Sequence, residues 1–333
     1  MPDPSEIAAD PRWLPHRIDA GQRRVQFVRI ERARLAEPAF LADIDADSAA
    51  EQAWLSFDDV MALEPVTGPL HFIFHTAFCR STLLVRALEM PGVAAGLSEP
   101  AIIAQLYNAG ASAQPLIKPV LDLLSRPWAE GEAVFVKPTN HANMLIPALL
   151  AARPDASALL MTNPLAGFLK SVARRGLLGR RWGRQLYLEL MGYAGMDLGM
   201  DAREQFSMTD MQAAGLAWFL SQRWFAMQQE QFGKARLRVL DGDRFDGERA
   251  ETIARVFEHA GHAFDAAHIE SVVGGPLFSK HAKLGSDFAD GEAQGSGVNA
   301  APVPDEEIGQ VRQWVEMIAR QAGVTVPLPQ DLA

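Results

Sequence analysis

Arg80, Ser81 and Thr82 close the turn His75-Thr76-Ala77-Phe78-Cys79-Arg80-Ser81-Thr82, which follows the apolar run Leu70–Phe74 and precedes a helix-like pattern. A strand–turn–helix junction of this kind aims backbone N–H groups and the positive end of a helix dipole at one point, an arrangement that binds phosphate or sulfate. Arg80 adds a planar fork of donors, and the hydroxyls of Ser81 and Thr82 can complete the shell. The spacing from His75 to Ser81-Thr82 fits the phosphate-binding frame G-x-x-x-x-G-K-[ST], but both glycines and the lysine are missing. The lysine is the residue that reaches the β- and γ-phosphates, so its loss counts against nucleotide hydrolysis. Cys79 suits a phosphatase only with an arginine six positions on, and that position is Val85.

Five other stretches carry reactive or charged groups. Leu97-Ser98-Glu99-Pro100 places a carboxylate one helix beyond the turn. In a sheet where the second strand neighbours the first, Glu99 would face the ligand crevice as a general base; the same residues also read as a helix start. Val134–Lys137 is an apolar strand that ends in lysine, with Pro138 blocking continuation, so Lys137 can neutralise charge on a bridging oxygen. His141 is a second candidate base, since histidine titrates near working pH. From Lys170 to Arg184 the cations Lys170, Arg174, Arg175, Arg180, Arg181 and Arg184 occur without an acid. That run is either a solvated basic face or a second anion site, with Lys170 and Arg174 sharing a helix face. Asp241-Gly242-Asp243-Arg244-Phe245 ends an apolar strand and either orients basic side chains or makes a turn. Lys280, in Phe278–Lys283, is placed to close over a bound phosphate.

The elements that must position these groups alternate as an α/β protein requires. Strands are expected at Leu70–Phe74, Ala133–Lys137, Ala158–Met161 and Leu237–Leu240. Helices are expected at Ser81–Glu89, Pro115–Leu124, Met144–Ala151, Leu165–Arg175, Arg184–Met191, Asp210–Phe232 and Glu248–His259, the last capped by Asp246. Trp218, Phe219, Trp224 and Phe225 read as core or as walls of an acceptor pocket. Residues 1–66 form an N-terminal extension with a strand at Arg24–Ile30 and helical patterns at Glu37–Ile44 and Ser48–Leu63; residues 67–333 form the main domain. Its tail holds a polar, Gly-rich loop, 285–304, and a final helix, Asp305–Gln321.

Composition bounds the function. The 333-residue chain is 48% hydrophobic, enough for a sizeable core, and carries a formal charge of −10, which argues against bulk nucleic-acid or anionic-membrane binding but not against a local basic pocket. One cysteine excludes an internal disulfide framework and a cysteine zinc site. With no secretory pattern at the N-terminus and no apolar run of about 20 residues, the chain reads as cytoplasmic, without a membrane or nucleic-acid partner.

Taken together, the pieces resemble the sulfotransferase family, whose members transfer a sulfuryl group from 3′-phosphoadenosine 5′-phosphosulfate to hydroxyls or amines. Phe78-Cys79-Arg80-Ser81-Thr82-Leu83-Leu84 looks like the family's K/R-S-G-T-T-L-L segment, and Ser98-Glu99-Pro100 resembles the acidic element that supplies the base in the protein-tyrosine branch. Val136-Lys137-Pro138 resembles the strand-ending lysine stretch, Leu160–Ser171 stands where the 3′-phosphate is held, and Val239–Phe245 resembles the Y-E-D-L strand end. The resemblance covers roughly residues 70 to 284. It implies a P-loop NTPase-like fold, a three-layer parallel sheet with helices on both faces. It implies 3′-phosphoadenosine 5′-phosphosulfate as donor, no metal, and a small-molecule or glycan acceptor. Glu99, Lys137, His141 and Arg80 would be catalytic; Cys79, Arg80, Ser81, Thr82, Lys170, Ser171, Arg174 and Lys280 would hold the donor. The family's basic position falls on Phe78, Arg80 stands at its glycine, Thr162 replaces the arginine that opens the 3′-phosphate segment, and Ser171 comes one residue late. Two other readings remain: a P-loop small-molecule kinase using ATP and Mg²⁺, and a non-catalytic nucleotide- or anion-binding protein.

Overall fold

Apolar runs that are buried on both faces make the strands of a parallel sheet, and four of the five strands of the larger sheet have that composition. The computed structural model describes residues 2–35, 39–278 and 305–332. In chain order they form α1 (Pro4–Ala9), β1 (Trp13–Asp19), β2 (Arg24–Arg29), β3 (Gln52–Ser56), α2 (Phe57–Ala62), β4 (Leu70–His75), α3 (Ser81–Ala87), β5 (Ala94–Ser98), α4 (Ala101–Ala109), α5 (Ile117–Leu124) and β6 (Ala133–Lys137). There follow α6 (Ile146–Ala152), β7 (Ser157–Thr162), α7 (Leu165–Arg174), α8 (Gly176–Tyr193), α9 (Ala202–Ser207), α10 (Asp210–Phe232), β8 (Leu237–Asp241), α11 (Gly242–Gly247), α12 (Arg249–Ala260), α13 (Ala266–Val273) and α14 (Asp305–Gln321).

The fold is α/β. A five-stranded sheet has the order β5-β6-β4-β7-β8, and an antiparallel three-stranded sheet has the order β1-β2-β3. Both β4 and β5 pair with β6 in parallel, so β5 is not the neighbour of β4, contrary to the order on which the reading of Glu99 rested; β6 lies between them. β5 reads Ala-Ala-Gly-Leu-Ser, too small and weakly apolar to stand out as a strand. The chain leaves β4 toward β5 in one direction and leaves β7 toward β8 in the other, so the order reverses between β4 and β7. Open α/β sheets bind ligands beyond the carboxyl ends of the strands at such a switch point.

Two compact units divide the chain. The first comprises Met1–His75, Ser81–Leu159 and Arg249–Val272, and its N-terminal stretch is tied in by two arginines, Arg126 and Arg32. Arg126, 2% exposed, donates to the carbonyls of Ile7, Asp10, Trp13 and Leu123. Arg32 makes a two-pronged contact with the buried Glu132 carboxylate at 2.7 and 2.8 Å. The helical pattern expected over Ser48–Leu63 is split, because the Ser56–Asp59 capping box starts α2 in its middle and leaves 52–56 to pair with β2. Glu37–Ile44 contains a 3₁₀ turn at Leu41–Asp43.

The second unit comprises Thr76–Arg80, Leu160–Glu248 and Val273–Ala333. Its centre is α10, capped by the Thr209–Gln212 box and buried on nearly all sides through Trp218, Phe219 and Phe225. α14 lays Val311 and Val315 against Gly215 of α10. α8 runs from 176, well before the expected 184. Asp246 lies inside α11 rather than capping α12.

His71 points into the core of the first unit, its Nδ1 2.8 Å from the Ser157 hydroxyl. Burial, with the charges of His259 and His262, pulls its pKa from 6.5 down to about 4. The folded-state value is depressed, so the unfolded chain binds the extra proton first. The stabilisation is therefore complete above about pH 6.5 and is lost as pH falls toward 4, with a slope of at most about 1.4 kcal/mol per pH unit. Denaturant unfolding across this window should show a shallower slope in His71→Phe than in wild type; identical slopes would contradict the assignment.

Candidate functional site

In the first unit, strand register builds a buried charge pair. Ser98 of β5 lies opposite Lys137 of β6, so Glu99, one residue on, comes beside the strand-ending lysine. The Glu99 N–H donates to Lys137 O at 2.7 Å, and Glu99 O accepts from Ala42 N–H at 3.1 Å. Held at both ends, Glu99 adopts a left-handed φ of 48°. Its carboxylate accepts from Lys137 Nζ at 2.5 Å; the lysine side chain is 0% exposed and the glutamate 18%.

His75, the last residue of β4, completes the group. Its Nε2 lies 3.3 Å from Lys137 Nζ, 3.1 Å from Pro138 O and 3.9 Å from the Glu99 carboxylate. Burial first, and then the neighbouring Lys137 charge, hold the His75 pKa well below its ordinary value, so the ring is neutral. The Phe40 ring faces the ammonium at 5.4 Å. Asp43 is raised by burial and by the Glu99 charge. His141 sits on the 3₁₀ turn Asn140–Leu145, near enough for its charge to act on His75. The arrangement places a partly exposed carboxylate against a buried ammonium at the ends of two neighbouring strands.

In the second unit the turn Thr76–Arg80 has an unusual backbone. Ala77, Phe78 and Arg80 have φ of 69°, 55° and 64°. Among the described residues, non-glycine residues at positive φ are these three, Glu99 and Arg23. Left-handed L-residues cost about 1–2 kcal/mol each, so the surroundings must hold the turn in place. Asn163, just after β7, does so with both ends of its amide: its Oδ1 accepts from Thr76 Oγ1 at 3.3 Å and its Nδ2 donates to Phe78 O at 3.2 Å. Trp218 Nε1 of α10 in turn donates to Asn163 O at 2.9 Å. The Phe78 ring packs on Phe168 and Trp182, with the Arg175 guanidinium 4.1 Å from its centroid. Cys79 is wholly buried, and a Cβ at Gly242 would collide with its carbonyl.

The remaining expected residues are placed as follows. Arg80 is bound by two carboxylates of α11, Asp243 at 2.5 Å and Asp246 at 3.1 Å. Ser81 is buried and Thr82 half-buried at the start of α3. Ser171 donates to Gly167 O and accepts from Arg174 Nη2 at 3.0 Å. Lys170 pairs with Asp305 of α14 at 3.0 Å. Lys280 lies outside the described residues. Among the described residues, no group of three or more His, Cys, Asp or Glu is placed to hold a metal ion, and no helix is long and apolar enough to cross a membrane. The sequence reading passed over His75 and Asn163; a histidine ending a wholly buried strand and an asparagine between strand end and proline were the available signals.

No family model matches the chain, and no curated protein does. Among solved structures, a sulfotransferase domain from the curacin biosynthetic pathway is similar with a TM-score of 0.44 and 12% identity, over 79% of this chain and 100% of that domain. That is a distant likeness of fold.

Two outcomes are expected of this geometry. Glu99→Gln leaves the buried Lys137 ammonium without its carboxylate and should cost about 3–5 kcal/mol of unfolding free energy, most of it recovered in Glu99→Gln/Lys137→Met. Additive losses in that double-mutant cycle would refute the pair. Asn163→Ala removes two bonds to the turn and should cost about 2 kcal/mol.

Proposed function

We propose that the chain is a sulfuryl-transfer enzyme of the sulfotransferase kind. The observation that carries this reading is the turn Thr76–Arg80, in which three non-glycine residues are held left-handed at the carboxyl end of β4. Strain of this sort persists where function uses it, and a turn that links a strand end to a helix start suits an anion such as a phosphosulfate. The resemblance of Phe78–Leu84 to the phosphosulfate segment supports the same reading, with a P-loop-like fold.

The residue roles follow the chemistry. The donor supplies a sulfuryl group on an anhydride oxygen. Glu99 takes the acceptor hydroxyl proton, with His141 as the other candidate base; the acceptor oxygen then bonds to sulfur as the sulfur–oxygen bond to the 5′-phosphate breaks, and that electron pair leaves with adenosine 3′,5′-bisphosphate. Lys137 and Arg80 offset charge on the transferring group and leaving oxygen. Residues 79–82 together with Lys170, Ser171 and Arg174 hold the donor, and Lys280 is proposed to close over it. The acceptor is a small molecule or glycan carrying a hydroxyl or amine.

Arg80 already has two carboxylate partners, which favours a second reading, a protein that binds the anion without transferring it. Isothermal titration with adenosine 3′,5′-bisphosphate decides whether there is a nucleotide site: saturable binding supports it, and no heat at millimolar concentration would sink it. If binding is found, incubation with labelled donor and an acceptor panel separates the readings. Transfer that is lost in Glu99→Gln while binding is kept supports catalysis; no transfer to any acceptor leaves the second reading standing.

A further inference from the structure

The corner between α7 and α8 reads Arg174-Arg175-Gly176-Leu177-Leu178-Gly179-Arg180-Arg181, two leucines framed by two pairs of arginines. Leu177 is 70% exposed and Leu178 56%, the kind of apolar exposure a packed domain avoids unless it serves contact. The exposure is built in. A Cβ at Gly179 would collide with Val172 O, so the inner side of the first turn of α8 lies directly against the α7 backbone. At 3.6 residues per turn, Leu177, Leu178, Arg180 and Arg181 then spread over an arc of roughly 160° on the opposite side. Arg174 and Arg181 are exposed and Arg180 half-buried. Among the described residues, no carboxylate is paired with Arg174, Arg180 or Arg181. Arg175 is engaged with the Phe78 ring and is left out of the argument.

We infer that this corner docks on an anionic lipid surface, its two leucines entering the headgroup boundary and Arg180 and Arg181 meeting lipid phosphates and carboxylates. Charge complementarity chooses the occupant: the whole chain carries −10, yet this corner is locally cationic, so attraction to a negative surface is confined to one orientation. Leu177 and Leu178 are exposed on the first turn of α8 and so can enter the headgroup boundary. The inference does not rest on sulfuryl transfer.

The test is cosedimentation of the full chain with vesicles of equimolar phosphatidylserine and phosphatidylcholine, and with phosphatidylcholine alone. Binding is expected to the anionic vesicles only and to weaken as salt is raised. Arg180→Gln/Arg181→Gln should lower the partition coefficient about 30-fold, at roughly a factor of five per surface arginine. Leu177→Ser/Leu178→Ser should lower it by about tenfold or more. Absence of binding, equal binding to neutral vesicles, or binding unchanged in both variants would overturn the inference. So would a concentration-dependent dimer that Leu177→Ser/Leu178→Ser dissolves, since the patch would then belong to a second copy of the chain.

Discussion

The left-handed turn at Ala77, Phe78 and Arg80 is the constraint on which the second unit is organised. L-residues leave that region unless something holds them there, and here nearly every neighbouring element contributes. Asn163 bridges the turn from β7, Trp218 fixes Asn163 from α10, Phe168 and Trp182 hold the Phe78 ring, and the missing side chain of Gly242 lets α11 approach the Cys79 carbonyl. The order of causation runs from packing to backbone: a buried core helix and a strand-end amide impose a conformation that the turn's own residues disfavour.

The first unit holds an electrostatic counterpart. A lysine ammonium with no solvent exposure is tolerable only beside a carboxylate, and the β5–β6 register supplies one by bringing Glu99 to the end of β6. Burial, and then the Lys137 charge, keep His75 neutral. Glu99 is again left-handed, so backbone strain and charge meet at the residue proposed to take the proton.

Much of this was legible in the sequence. β4, β6, β7 and β8 announce themselves as apolar runs, and α10 and α14 have the expected bounds because caps and periodicity agree. Glu99 and Lys137 could be named as strand-end groups. Their pairing could not, because it depends on β6 lying between β5 and β4, a long-range order that no local pattern encodes. β5 escaped because its small residues are buried by neighbours rather than by their own hydrophobicity. Arg80 was legible as a cation but not as a paired one, since Asp243 lies 163 positions away. The left-handed turn was hidden for a plainer reason: without glycine, nothing in Thr-Ala-Phe-Cys-Arg signals positive φ.

The central claim is the proposed binding of an anion at this turn. Amide-resolved NMR during titration with inorganic sulfate, and then with adenosine 3′,5′-bisphosphate, tests it most directly. The account predicts saturable downfield shifts at the amide protons of residues 77–82, larger than anywhere else in the chain. Shifts spread over surface lysines and arginines, with the amides of 77–82 unmoved, would contradict it.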